Sequence, residues 1–161
     1  AMNSEGRKFK GVLYFGLMVT DDEKVYVIEY NARFGDPEAQ AVLPRLKSDI
    51  LKILLAVVDE NLEKQQIKWS DECSVCVMLA SGGYPQSYNS GYEIEIGEIN
   101  DAYVFHSGTK TVGGKTVTAG GRVIGVSATG KDMEQARQKA YKNVEKIKFK
   151  DMFYRKDIGC L

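Results

Sequence analysis

From Cys73 onward the chain offers five short β-prone runs, at 73–80, 92–96, 102–106, 110–118 and 121–127, before a single stretch of helical periodicity. The runs are separated by Gly, Asn, Asp and Ser, the residues that punctuate strands. Strands first and helix last is the order of an α+β domain. Within the fourth run, Gly113-Gly114 divides Thr111-Val112 from Lys115-Thr116-Val117. Paired glycines accept the positive φ angles of a tight turn, so this run reads as a hairpin. The helix that follows starts at a capping box, Asp132 with Gln135 three residues on, and Met133, Ala136, Ala140, Val144 and Ile147 form its inner stripe.

The first part of the chain reads differently. Strands over 12–19 and 25–31, joined by a turn at 20–24, make a hairpin. A helical pattern begins after Pro37, with Glu38 placed where the positive end of the helix favours an acid. Pro44 would disturb a helix interior, so the spacing predicts a short helix, a break over 43–47 and a new start capped by Ser48 or Asp49. In that second helix Ile50, Ile53, Leu54, Val57, Val58 and Leu62 follow the three-and-four spacing of one buried stripe. The polar stretch 59–70 then leads into the β-rich part. The organisation expected is a flexible start over 1–10, a first section over 11–70 and a second over 71–161. Ala1-Met2 reads as a cloning remnant ahead of Asn3.

The chemistry of the chain concentrates in the run Glu29-Tyr30-Asn31-Ala32-Arg33-Phe34-Gly35-Asp36-Pro37-Glu38. Alternate side chains of a strand share a face, so Glu29 and Asn31 lie together, about 6 to 7 Å apart along the strand. Both offer oxygen to a hard cation such as Mg²⁺, and two protein ligands leave room for water or nucleotide phosphates. Arg33 keeps the same parity if the extension persists, and its fork of donors matches a phosphate. The other reading is a solvated Glu-Asn-Arg ladder at an exposed strand end, and spacing does not choose between the two.

Three loops carry further candidates. In Ser81-Gly82-Gly83-Tyr84-Pro85 the amides of consecutive glycines either cradle an anion or simply reverse the chain. Gly108-Thr109-Lys110 and Ala119-Gly120-Gly121-Arg122 place Lys110 and Arg122 among small residues that allow close approach of a ligand. Tyr154-Arg155-Lys156-Asp157-Ile158-Gly159 reads as a salt-bridged clamp on the C-terminal segment. His106, at a strand end, reads as a structural histidine.

Two groups of strings resemble a known family. EYNARFGDPEAQAVLPRLKSDI, preceded by GVLYFGLMV, is similar to the end of the ATP-grasp domain of the glycinamide ribonucleotide synthetase (phosphoribosylamine-glycine ligase) family of purine biosynthesis. SGGYPQSYNSG, VFHSGTK, TAGGRVIGVSATG and FYRKDIG resemble, in the same order, its C-terminal domain. The resemblance implies the end of an ATP-grasp domain, a β-hairpin and helices, followed by a small antiparallel β-rich domain with a late helix. It implies a ligase that joins glycine to 5-phosphoribosylamine with consumption of ATP, through glycyl phosphate. Glu29 and Asn31 would hold Mg²⁺ (or Mn²⁺), and Arg33 would meet the charge developing on the transferred phosphoryl group. Asp36 would act beside it, with Gly35 and Pro37 shaping the pocket where glycine or the amine docks. Lys110 and Arg122 would face the phosphate or ribose of phosphoribosylamine. The glycine-rich loop and lysines that hold the nucleotide in this family have no counterpart here, so the expected partner is the N-terminal portion of the same enzyme, a monomer in the cytoplasm when complete. The alternatives are a portion of another ATP-grasp carboxylate-amine ligase, or a non-catalytic binding or carrier module bearing a modified Lys115.

Composition narrows the classes further. Among 161 residues, 22 basic and 22 acidic side chains cancel, which argues against a large nucleic-acid footprint. Apolar residues make up 43%, enough for a core. The apolar run 50–58 is too short for a bilayer and is interrupted by Lys52, so neither a membrane span nor a cleavable signal is expected from this sequence. Cys73 and Cys76 have the spacing of half a zinc or redox site, yet no second pair exists and His106 is the sole histidine. Strand cysteines in a reducing compartment are the simpler reading.

Overall fold

The computed structural model describes residues 2–160. Ala1, half of the dipeptide set aside above, lies outside them; Met2–Glu5 forms a 3-10 turn. The chain forms two units, one comprising the segment up to Ala39 with Leu46–Trp69, the other comprising Gln40–Arg45 with everything from Ser70 on.

In the first unit, β1 (Tyr14–Val19) and β2 (Val25–Asn31) pair antiparallel, from Tyr14 opposite Asn31 to Val19 opposite Val25. Thr20 N–H donates to the Lys24 carbonyl at 3.0 Å and closes the turn. Directly opposed residues share a face. Tyr14, Gly16, Glu29 and Asn31 therefore lie on one side, while Phe15 and Tyr30 meet on the other with rings edge to face, 5.0 Å apart. The strict alternation expected over 25–31 stops at Ile28. Gly16 faces Glu29 but Leu17 faces Val27, which makes Ile28 the extra residue of a bulge.

After the hairpin, α1 (Glu38–Val42) passes into a 3-10 turn, Leu43–Arg45, and α2 (Ile50–Val58) begins anew. The Asp49 carboxylate accepts from the N–H groups of Leu51 and Lys52, the cap anticipated from the sequence. The buried stripe anticipated for this helix is absent. Only Ala56 of α2 is buried, and Ile50, Leu54, Val58 and Leu62 all remain exposed. Periodicity gives a helix an apolar face but does not supply the layer that covers it, and within this unit the main neighbour of α2 is the 3-10 turn Leu62–Lys64. The hairpin is likewise bare, with Val19, Val25, Ile28 and Tyr30 each at least 60% exposed.

The second unit contains β3 (Cys73–Ser81), β4 (Glu95–Ile96), β5 (Tyr103–His106), β6 (Thr109–Val112), β7 (Lys115–Thr118), β8 (Arg122–Gly130), α3 (Met133–Val144), β9 (Ile147–Lys148) and β10 (Met152–Phe153). A four-stranded antiparallel sheet runs in the order β10-β3-β8-β5. The α+β class expected from the order of elements is the one observed. The run 92–96 shortens to two residues, since β4 finds only the two-residue β9 as a partner, while Glu93 makes one bridge to Val117. The β6–β7 hairpin turns on Gly113 and Gly114, with φ of 56° and 78°.

The core lies between α3 and the two long strands. Val75, Val77 and Leu79 sit opposite Ala128, Val126 and Ile124, and all six are buried with Ala136, Ala140 and Val144 of α3. Burying each Val, Leu or Ile side chain stabilises by about 1.5–3 kcal/mol. Alanine at 136 and 140 lets the helix lie close: a Cβ on Gly130 would stand 2.5 Å from the Ala136 nitrogen. Ile147, placed on the helical stripe by the sequence reading, is fully buried but belongs to β9. The capping box is also shifted by one residue. Asp132 accepts from Gln135 N–H at 2.8 Å, but Gln135 Oε1 accepts from Lys131 N–H rather than from the cap residue.

The final segment is strapped to α3. The Tyr141 hydroxyl donates to the Arg155 carbonyl at 2.8 Å and accepts from Ile158 N–H at 3.1 Å. Arg137 donates to the Lys156 carbonyl, and Arg155 pairs with Asp157 at 2.6 Å, as the clamp reading requires.

Candidate active site

Glu29 and Asn31 converge as their spacing suggests. Asn31 Nδ2 donates to Glu29 Oε1 at 2.9 Å, which leaves Asn31 Oδ1 and Glu29 Oε2 as the remaining oxygens of the pair. The donor set is all oxygen, solvent-facing and small, which fits a hard cation that keeps most of its shell as water or phosphate. Among the described residues no three His, Cys, Asp or Glu side chains gather into a metal-holding group.

Beyond Asn31 the chain bends, so the extended parity anticipated for Arg33 does not persist. Its Nη1 donates instead to the Phe34 carbonyl at 2.7 Å. Gly35 is buried and Asp36 exposed, with a cis peptide between Asp36 and Pro37. A Cβ on Gly35 would overlap the Glu38 carboxylate, which folds back over the turn. Desolvation and the negative charges of Glu38 and Glu29 together raise the Tyr14 hydroxyl above its ordinary value. Glu38 thus belongs to the same electrostatic neighbourhood as the Glu29–Asn31 pair, a role that sequence reasoning missed. The signal available was a glycine three residues before an acid.

In the second unit, the glycine-rich loops are filled by protein. A Cβ on Gly82 would stand 2.7 Å from the Asp151 carbonyl oxygen, and one on Gly83, where φ is +95°, would overlap the Ser87 carbonyl. The Ser81–Pro85 segment is therefore a chain reversal, closed by Tyr84 N–H to the Ser81 carbonyl at 3.1 Å. The Tyr84 ring occupies the place a side chain on Gly121 would take, and Gly108 is packed against Gly120 and the Arg122 carbonyl. The expectation that these glycines leave space for a ligand is corrected: their small size serves loop against loop. Arg122, half-buried at the head of β8, has its carbonyl held by Gly108 N–H at 2.8 Å. Lys110, exposed on β6 opposite Val117, follows two residues after Gly108. The two cations are carried by interlocked segments.

Other singled-out residues have local partners. His106 Nδ1 lies 3.2 Å from Thr109 Oγ1. Lys115 pairs with Glu93 at 2.7 Å, and the hydrogen bond and charge of that carboxylate raise the ammonium pKa. Cys73 and Cys76 are half-buried in β3, Cys160 is exposed, and none of the three is joined in a disulfide.

Comparison with known families decides the assignment. The model of the phosphoribosylglycinamide synthetase C domain matches residues 74–160, and that of the phosphoribosylglycinamide synthetase ATP-grasp (A) domain matches residues 1–39. The chain belongs to the phosphoribosylglycinamide synthetase family. It is 49% identical over 161 residues to a phosphoribosylamine–glycine ligase of Caldanaerobacter subterraneus subsp. tengcongensis, covering 99% of this chain and 38% of that protein. It is 47% identical to the bifunctional purine biosynthetic protein PUR2,5 of Pichia angusta, covering 98% of this chain and 20% of the relative. The crystal structure of phosphoribosylamine–glycine ligase from Thermotoga maritima superposes with a TM-score of 0.84 at 35% identity, covering 97% of this chain and 39% of that one. The chain thus spans less than two fifths of the length of the synthetase-family ligases it matches.

Proposed function

We propose that the chain is the C-terminal part of an ATP-dependent ligase that joins glycine to 5-phosphoribosylamine. One observation carries this reading: an oxygen-bearing Glu29–Asn31 pair on a hairpin, within residues that match a ligase ATP-grasp domain and ahead of residues that match the same ligase's C domain. In the reaction, the γ-phosphoryl group of ATP passes to the glycine carboxylate, and the amine of phosphoribosylamine then attacks the glycyl carbonyl and expels phosphate. No side-chain nucleophile is needed, so positioning and charge neutralisation supply the acceleration. Bound at the pair, Mg²⁺ or Mn²⁺ would neutralise nucleotide phosphate charge.

Glu29 and Asn31 would hold that ion. Arg33 releases the Phe34 carbonyl and turns its fork to the transferred phosphoryl oxygens. Asp36, with Gly35 and Pro37, shapes the glycine and amine pocket, and Lys110 and Arg122 take the ribose or phosphate of phosphoribosylamine. The portion that the longer relatives carry in addition supplies the nucleotide-phosphate loop, and the apolar faces of the hairpin and α2 are the surface it covers. The complete ligase is read as a monomer without nucleic-acid or membrane partners. Three cysteines outside any disulfide suit the reducing cytoplasm.

The test combines the chain with the N-terminal portion of the ligase and follows ADP release in the presence of glycine and phosphoribosylamine. Turnover should appear only in the mixture, and Glu29→Ala or Asn31→Ala should lower it by roughly 10²-fold or more with circular dichroism unchanged. Near-normal turnover in either variant refutes the metal assignment.

A further inference from the structure

Gly16 sits in the middle of β1 with no conformational reason to be glycine. Its φ is not left-handed, so any L residue fits the backbone there. Glycine inside a strand otherwise weakens it and marks a close approach. The approach here is by Glu29, directly opposite: a Cβ at position 16 would stand 3.0 Å from Glu29 Cγ and 3.6 Å from its backbone nitrogen. The atom that must give way belongs to the flexible side chain. A shift of a few tenths of an ångström in that Cγ moves the carboxylate it carries, whose Oε1 at present accepts from Asn31 Nδ2 at 2.9 Å. The bulge at Ile28, immediately before Glu29, is the kind of ladder irregularity that re-aims a side chain.

We infer that Gly16 is a positioning residue for the metal-binding carboxylate: the space left by its missing side chain is the seat from which Glu29 is aimed alongside Asn31. The inference rests on the reading that Glu29 and Asn31 hold a divalent cation. It assigns to β1, which contributes no ligand, control over the affinity of the ion.

The test titrates Mn²⁺ into the ¹⁵N-labelled chain and follows paramagnetic broadening of the Glu29 and Asn31 amides, together with thermal melting and the Tyr14–Asn31 cross-strand contacts. Gly16→Ala should require roughly tenfold more Mn²⁺ for equal broadening. Its melting midpoint should not fall and its cross-strand contacts should persist. Gly16→Ser should behave like Gly16→Ala. Equal Mn²⁺ response in the wild-type and Gly16→Ala chains overturns the inference. So does a weaker response that appears only alongside loss of the cross-strand contacts, which would be a structural effect. If the wild-type chain shows no broadening at Glu29, or Glu29→Ala broadens as wild type does, the underlying metal reading fails and the inference falls with it.

Discussion

Asn143, buried on α3, closes both hydrogen-bonding groups of Asn100: its Oδ1 accepts from Asn100 N–H at 3.0 Å and its Nδ2 donates to the Asn100 carbonyl at 2.8 Å. One side chain thus pins the loop that precedes β5 to the late helix. Asn143→Ala leaves two backbone groups without partners, and we expect a loss of about 2–4 kcal/mol in urea unfolding. Hydrogen exchange at Asn100 should accelerate more than at Val126 in the sheet. A variant within 0.5 kcal/mol of wild type, a rough bound for neutral surface changes, would show the loop to be held by other means.

The seat of Tyr84 on Gly121 makes a second prediction. Gly121→Ala places a methyl group where the ring lies, and overpacking of this kind costs about 1–3 kcal/mol. Tyr84→Ala in the same chain should recover part of the loss. Additivity of the two substitutions within about 0.5 kcal/mol would mean that the contact is not the source of the cost.

Much of this fold was legible in the chain before any coordinates. The hairpin pattern at 14–31 and the restart of the helix at Asp49 are local signals, and local signals survive folding. The Glu29–Asn31 pair was legible for the same reason, since period-two geometry is a property of the strand itself. What could not be read depends on partners distant in sequence. The bulge at Ile28 is set by register against β1, the filled glycine loops by Tyr84 and Ser87, and the bareness of α2 by what does not lie opposite it. Glu38 was read as a helix-end charge because its fold-back over Gly35 requires the turn geometry.

Acid should open the C-terminal strap late. The hydrogen bond from Arg155 holds the Asp157 carboxyl below its ordinary value of 3.8, with the Arg155 charge a lesser contribution. A depressed folded-state pKa contributes stability that is present above the unfolded value and is lost as pH falls through the folded one. The protection of the Ile158 amide relative to its unfolded exchange rate at each pH should therefore stay constant from neutral pH down to the ordinary carboxylate range and fall only below it. In Asp157→Asn that acid-dependent step should vanish. A step near neutrality would assign the opening to another group.

The two units should answer truncation differently. Leu79 is fully buried, and Leu79→Ala should cost about 2–5 kcal/mol. Val19 is 63% exposed, and Val19→Ala should change chemical stability by no more than about 0.5 kcal/mol in this chain. A comparable loss at both positions would mean that the hairpin face is covered in solution.

Because Gln40–Arg45 sits with the later unit while the residues on either side of it sit with the earlier one, the polypeptide crosses between the two bodies three times. No single scissile bond can therefore release either body whole. A protease nick or a recombination breakpoint directly after Trp69 would strand the six residues Gln40–Arg45 on the wrong piece, and one earlier in 46–69 would divide the first body as well. Any contiguous piece that keeps one body whole must carry part of the other with it.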